Sequence, residues 1–228
     1  MNNCVTLENR ERRDEMKDNK ENESNSFFYD FFKRAFDIVV SLVATIVLSP
    51  VILILAIAVK VDDPQGKVFF AHKRVGKNGR EIKILKFRSM VHNAEELIEQ
   101  FTPEQKEEYY KNFKLDNDPR ITKLGNFLRK TSLDELPQLL NIFFGDISLV
   151  GPRPVLERET QLYGKDRSLL LSVKPGLTGY WAVNGRSTTD YDERIQLELY
   201  YVRNRSFWLD IKIIFKTFTA VFKGEGAQ

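Results

Sequence analysis

Between Ile38 and Val59 the chain runs for 22 residues without one charged side chain. A helix of that length covers the roughly 30 Å of hydrocarbon in a bilayer, and it exceeds what a small domain usually buries on all sides. Lys33, Arg34 and Asp37 stand before the run, and Lys60, Asp62 and Asp63 stand after it. Ser49-Pro50 falls near its middle. Proline offers no amide hydrogen and crowds the carbonyl one turn earlier, that of Ile46. In lipid that carbonyl needs a donor, and the Ser49 hydroxyl can supply one. Basic residues flank both sides, with Lys67, Lys73, Arg74 and Lys77 following Lys60. The preference of basic flanks for the cytoplasm then favours a helix-break-helix that dips in and returns, over a kinked helix that spans.

Residues 1–26 are almost entirely polar or charged. They lack the apolar surface that would offset the entropy of ordering, and they read as a flexible tail. They do not resemble a signal peptide, because no short apolar run with a small-residue cleavage site follows the first basic residues. The expected division is thus a tail at 1–26, a re-entrant membrane helix at 27–61 and a cytoplasmic domain at 62–228, the part that carries the candidate chemistry. The charge of the chain, 35 basic against 32 acidic residues, is too balanced to suggest a nucleic-acid partner, though a small basic excess suits anionic lipid or phosphate. One cysteine, Cys4, and two histidines, His72 and His92, exclude an intrachain disulfide framework and argue against a cysteine- or histidine-rich metal site.

Past the apolar run, Lys67–Phe87 alternates around Gly76-Lys77-Asn78-Gly79 and predicts a β-hairpin. Ala94–Phe113 predicts a surface helix interrupted at Pro103. Ile121–Arg129, Leu133–Phe144 and Asp190–Asn204 predict helices, Gln161–Leu171 a short one, and Lys174–Arg186 a glycine-rich loop. Phe207–Phe222 carries apolar residues three or four apart, with Lys212, Lys216 and Lys223 beside them. Periodicity alone fits an interfacial helix and a core-facing helix equally. The fold class is mainly α with a small β-hairpin.

The chemistry concentrates in Thr131-Ser132-Leu133-Asp134-Glu135-Leu136-Pro137-Gln138. Ser132-x-x-Glu135 matches a capping box, and acids in a first turn complement a helix dipole, which is the commoner meaning of such a pair. The functional reading is an ionised pair among cations, able to bind Mg²⁺ or attack phosphorus. Arg120, Lys123, Arg129 and Lys130 precede it and Arg153 follows it. Lys86-Phe87-Arg88 sets two cations around an aromatic ring, and Gly151-Pro152-Arg153-Pro154 stiffens the backbone around an arginine. Gly176-Leu177-Thr178-Gly179 and Asn184-Gly185-Arg186 add close backbone approach and one more arginine. No dinucleotide fingerprint, phosphate-binding loop or His-Glu-x-x-His is present.

In order, these segments resemble the bacterial sugar transferase family, the monotopic phosphoglycosyl transferases. The match runs through Lys33-Arg34-x-x-Asp37, the run broken at Ser49-Pro50, Lys86-Phe87-Arg88-Ser89-Met90 and Asp118-Pro119-Arg120-Ile121-Thr122. It continues through Ser132–Gln138, Ser148–Pro154, Lys174–Gly179 and Asn184-Gly185-Arg186, and covers about residues 28–223. The resemblance implies a monotopic protein of the bacterial inner membrane, with a re-entrant helix, interfacial amphipathic helices and an active site on the cytoplasmic face. It looks like the short form, without the additional N-terminal membrane helices of larger members. It implies transfer of a sugar-1-phosphate from a UDP-sugar to polyprenyl (undecaprenyl) phosphate, with Mg²⁺ as cofactor. By position, Asp134 is the nucleophile and a metal ligand, and Glu135 its partner in the dyad. Arg88, Arg120, Arg129, Arg153 and Arg186 serve the phosphates, while Arg34 and Asp37 are structural. Membrane lipids are partners, and an amphipathic surface would also suit a homodimer. The alternative is a non-catalytic membrane scaffold of a polysaccharide-synthesis complex.

Overall fold

The computed structural model describes the backbone of residues 2–112, 115, 118–185 and 189–223, and the side chains of 28–109, 115, 118–185 and 189–220. The expected flexible tail at 1–26 lies outside the residues described at side-chain level. Helix α1 is Asn2–Asp62, and its segment Phe28–Asp62 is long and apolar enough to cross a membrane by length and composition. The expected break at Ser49-Pro50 does not end the helix, which continues through Pro50. Ser49 Oγ donates to the Ile46 carbonyl at 2.7 Å, replacing the amide donor that proline lacks.

Both ends of the Phe28–Asp62 segment hold the same globular body. Near its start Tyr29 Oη and Lys33 Nζ donate to Asp210 Oδ2 at 2.9 and 2.5 Å, and Asp37 Oδ1 accepts from the Leu149 amide at 3.0 Å. At its end Leu55 and Val59 bury against Phe87 and Leu128, and Arg88 binds the Asp63 carboxylate and the Val59 and Asp63 carbonyls.

The hairpin forms as the sequence predicts. Strands β1 (Phe69–Val75) and β2 (Glu81–Phe87) pair antiparallel, Phe69 opposite Phe87 and Val75 opposite Glu81. The turn places Asn78 (φ 58°) and Gly79 (φ 78°) in the left-handed region, which these two residue types tolerate. Helix α2 (Pro103–Asn112) is not interrupted at Pro103 but begins there. Proline suits a first helical position, and Thr102 and Gln105 cap each other reciprocally at 3.0 and 3.2 Å. Only a single 3₁₀ turn, Glu96–Ile98, precedes it.

Helix α3 (Lys123–Lys130) leads to a 3₁₀ turn, Leu133–Glu135, and then to α4 (Gln138–Phe144), so the expected helix Leu133–Phe144 is divided at Pro137. The capping box at Ser132 is not formed: Ser132 is left-handed (φ 57°) and its side chain caps nothing. Instead α4 is closed at its far end. Gly145 (φ 89°) returns its amide to Asn141 and Ile142, and Arg34 of α1 donates to the Ile142 and Phe143 carbonyls at 2.7 and 2.6 Å.

Strands β3 (Ser148–Val150) and β4 (Gly176–Thr178) form a parallel pair that the sequence reading missed. The glycines allow it: a Cβ on Gly176 would stand 2.1 Å from the Gly151 nitrogen. Short helices α5 (Glu157–Thr160), α6 (Arg167–Leu170) and α7 (Tyr180–Asn184) connect to α8 (Tyr191–Asn204). Gln161–Asp166 is a kinked 3₁₀ segment, so the short helix expected over Gln161–Leu171 is reduced to α6. Helix α9 (Phe207–Lys223) resolves its two readings by dividing its surface. Ile213 is buried with Val150, Val173 and Tyr201, while Trp208, Phe215 and Phe218 face outward.

Candidate active site

Asp134 and Glu135 sit on the 3₁₀ turn between α3 and α4, with the end of β2 beside them. Asp134 is buried, at 7% exposure, and Glu135 is more open. Lys86 connects them: its ammonium donates to Glu135 Oε1 at 2.6 Å and lies 3.5 Å from Asp134 Oδ2. Burial pushes the Asp134 carboxyl above the usual carboxylate range. The Lys86 charge opposes that shift, Glu135 adds to it, and Arg129 opposes it more weakly. Arg129 donates through Nε to Ser89 Oγ at 2.8 Å. Ser89 is fixed against α3 because Gly125 leaves no Cβ there, where one would fall 1.9 Å from the Ser89 carbonyl oxygen.

The sequence candidates therefore separate. Asp134, Glu135 and Arg129 share one neighbourhood. Arg120 is buried and forked onto Asp118, Nε to Oδ1 at 2.8 Å and Nη2 to Oδ2 at 2.6 Å, with the rings of Phe101 and Tyr109 5.1 and 4.8 Å away. Arg88 is committed to Asp63 at the end of α1. Arg153 stands apart, its guanidinium 5.7 Å from the Trp181 ring centre and its amide held by both oxygens of buried Glu198 at 3.1 Å. Burial pushes Glu198 up to about 7, against the Arg153 amide and the charges of Arg194 and Arg153. Arg186 lies outside the described residues. Ser49 and Pro50 are in α1, away from the dyad.

The sequence reading noted Lys86 only as part of a basic pair and missed Glu198 altogether. Strand alternation was the available signal for Lys86, since it places Lys86 on the face that carries Ile84 and Ile82.

A family model described as bacterial sugar transferase matches residues 28–224. The chain belongs to the bacterial sugar transferase family. As a family member it is 46% identical over 200 residues to an undecaprenyl-phosphate galactose phosphotransferase of Salmonella typhimurium, covering 86% of this chain and 42% of that one. It is 48% identical over 200 residues to a UDP-galactose-lipid carrier transferase of Erwinia amylovora, with the same coverage of each. Against the exopolysaccharide production protein ExoY of Rhizobium meliloti, identity is 45% over 198 residues, 86% of this chain and 87% of that one. The chain thus spans less than half the length of the first two relatives and most of the third.

Proposed function

We propose that this chain moves a sugar-1-phosphate from a UDP-sugar to a polyprenyl phosphate at a membrane surface, through a covalent intermediate on Asp134. The observation that carries the reading is the dyad itself: a buried carboxylate, not engaged in a helix cap, beside a lysine that also binds its neighbour. An Asp134 oxygen attacks the β-phosphorus, the bond to the bridging oxygen breaks, and uridine monophosphate leaves with that electron pair. A phosphosugar remains as an acyl phosphate. An oxygen of the polyprenyl phosphate then attacks the same phosphorus and the carboxylate departs. One anhydride replaces another, so no further energy source is needed. Lys86 and Arg129 offset the negative charge that would otherwise keep a carboxylate from a diphosphate.

The donor set fits Mg²⁺. Among the described residues no group of three or more His, Cys, Asp or Glu side chains could cage a metal, but Asp134 and Glu135 offer adjacent oxygens. A hard cation that keeps several waters and takes its remaining ligands from substrate phosphates needs no more than that. When bound it would supply charge neutralisation at the diphosphate.

The membrane reading is supported by what α1 touches and what it leaves bare. Val39, Val43, Ile46, Val47, Leu53 and Ile54 are exposed, as are Phe144 of α4 and Trp208, Phe215 and Phe218 of α9. A helix crossing the bilayer would carry one end away from the globular body, whereas Tyr29 and Lys33 at one end and Val59 and Asp63 at the other both bind it. We therefore favour re-entry from the cytoplasmic face of the bacterial inner membrane, with α4 and α9 at the interface. Cys4, the single cysteine, and a cysteine introduced as Lys67→Cys in a Cys4→Ser background are expected to react with an impermeant maleimide from the same side in sealed vesicles. Reaction from opposite sides would establish a spanning helix.

Transfer is tested without acceptor. Purified protein mixed with a UDP-sugar is expected to release about one equivalent of uridine monophosphate in a burst and to gain the mass of a phosphosugar. Release that waits for the lipid, with no adduct, would eliminate the covalent route.

A further inference from the structure

We propose that the β1 side of the hairpin, together with Arg153 and Trp181, forms the subsite that receives the nucleoside monophosphate end of the donor and holds it as it leaves. This rests on the transferase reading above and adds to it where the leaving group goes and which residues hold it.

The hairpin register defines the row. Phe70 lies opposite Lys86, His72 opposite Ile84 and Arg74 opposite Ile82. Directly opposed residues share a face, and same-face residues along a strand stand about 7 Å apart, so the row from Phe70 to Arg74 extends about 13 Å. One end of it is Lys86, which holds the dyad. At the other end Arg74 pairs with Glu159 at 3.3 Å, and Arg153 brings its charge to bear on both His72 and Arg74. The length suits a diphosphate followed by a ribose, with the reacting phosphorus at Asp134.

The charges suit it too. Among the described residues no carboxylate pairs with the Arg153 guanidinium, which lies over Trp181. Arg194 packs on the same indole at 4.8 Å and on Tyr191 at 5.0 Å; it is 8% exposed, and its Nε and Nη2 have no partner. Lys86 is already balanced by Asp134 and Glu135, but Arg74, Arg153 and Arg194 face two acids, Glu159 and Glu198, and burial leaves Glu198 only partly charged at neutral pH. Excess cation in a partly desolvated site attracts an anion. His72 reports the same field. Burial first, then the charges of Arg74, Lys86 and Arg153, push its imidazole down to about 4, with Glu159 opposing. The ring is therefore neutral at pH 7. Arg74 can only donate, so Nδ1 accepts from Arg74 Nη2 at 3.4 Å and the ring proton sits on Nε2, a donor for a phosphate or ribose oxygen. Phe70, 5.7 Å from the His72 ring and half-exposed, and Trp181 provide aromatic surface for a base.

The test uses the full chain in lipid nanodiscs with uridine monophosphate as probe. In histidine-labelled protein, the nucleotide is expected to raise the proton affinity of His72 at least tenfold, because its phosphate offsets the surrounding cations, while His92 stays unchanged. In turnover, His72→Ala should weaken inhibition by uridine monophosphate and raise KM for the UDP-sugar about tenfold. It should leave kcat within twofold and KM for the polyprenyl phosphate unaltered. His72→Gln, which keeps an N–H donor, should recover most of the loss, and Trp181→Phe should bind better than Trp181→Ala. Unchanged His72 titration with added nucleotide, or an unchanged inhibition constant in His72→Ala, would overturn the subsite. If the nucleotide shifts His72 but the wild type releases none from any UDP-sugar, the subsite stands and the transferase reading fails.

Discussion

Asp134→Asn is expected to lower turnover by about four orders of magnitude or more and to abolish the phosphosugar adduct, since it removes the attacking oxyanion while preserving shape. The amide is isosteric with a side chain that makes no helix cap and whose resolved polar partner is Lys86. Burying a neutral amide in place of a carboxylate that burial disfavours should cost no stability, so the thermal midpoint is expected to hold or rise. Loss of activity without loss of fold separates a chemical role from a structural one. Substantial turnover in this variant would move the nucleophile elsewhere.

Lys86→Met is expected to reduce kcat about a hundredfold near neutral pH and to move the acid limb of its pH profile upward. The sign follows from the charges. In the proposed reaction Asp134 attacks as a carboxylate, so activity would be present above its pKa and lost as pH falls through it. Burial raises that pKa, Lys86 is the first force opposing the rise, and Glu135 reinforces it. Removing the ammonium therefore raises it further, and the deficit should shrink as the assay pH is increased. A deficit independent of pH would assign Lys86 to substrate charge alone. Methionine keeps the aliphatic packing, so the comparison isolates the charge.

Much of the architecture was legible because it depends on runs and periods. The uncharged run at Ile38–Val59 announced α1, Asn78-Gly79 announced the hairpin turn, and Asp190 announced α8, whose Glu193 amide it caps at 2.7 Å. What failed was set by other parts of the chain. Strands β3 and β4 have three residues each, too few to alternate visibly, and exist because two glycines let two backbones touch. The Ser132 capping box looked sound in sequence, yet the chain passes through a left-handed residue to bring Asp134 inward, a conformation no local rule favours. Arg88, Arg120 and Arg129 were equivalent on paper. Only tertiary structure shows that Asp63 holds the first and Asp118 the second, while Arg129 remains near the dyad. Nothing in the spacing of Asp190–Asn204 singled out Arg194 or Glu198, which are buried because they lie on the face of α8 that carries Ile195, Leu199 and Val202 into the core.

Helix α4 begins three residues after Glu135 and ends in the grip of Arg34. It is a strut of about 10 Å between the Asp134–Glu135 pair and α1. The distance from the acids to that helix is consequently a property of the polypeptide and not of the lipid. Protein lifted into detergent, or placed in bilayers of unequal thickness, carries this gauge with it. Swelling or thinning the bilayer should alter how readily the proposed lipid acceptor arrives and leave the reach of Asp134 unchanged.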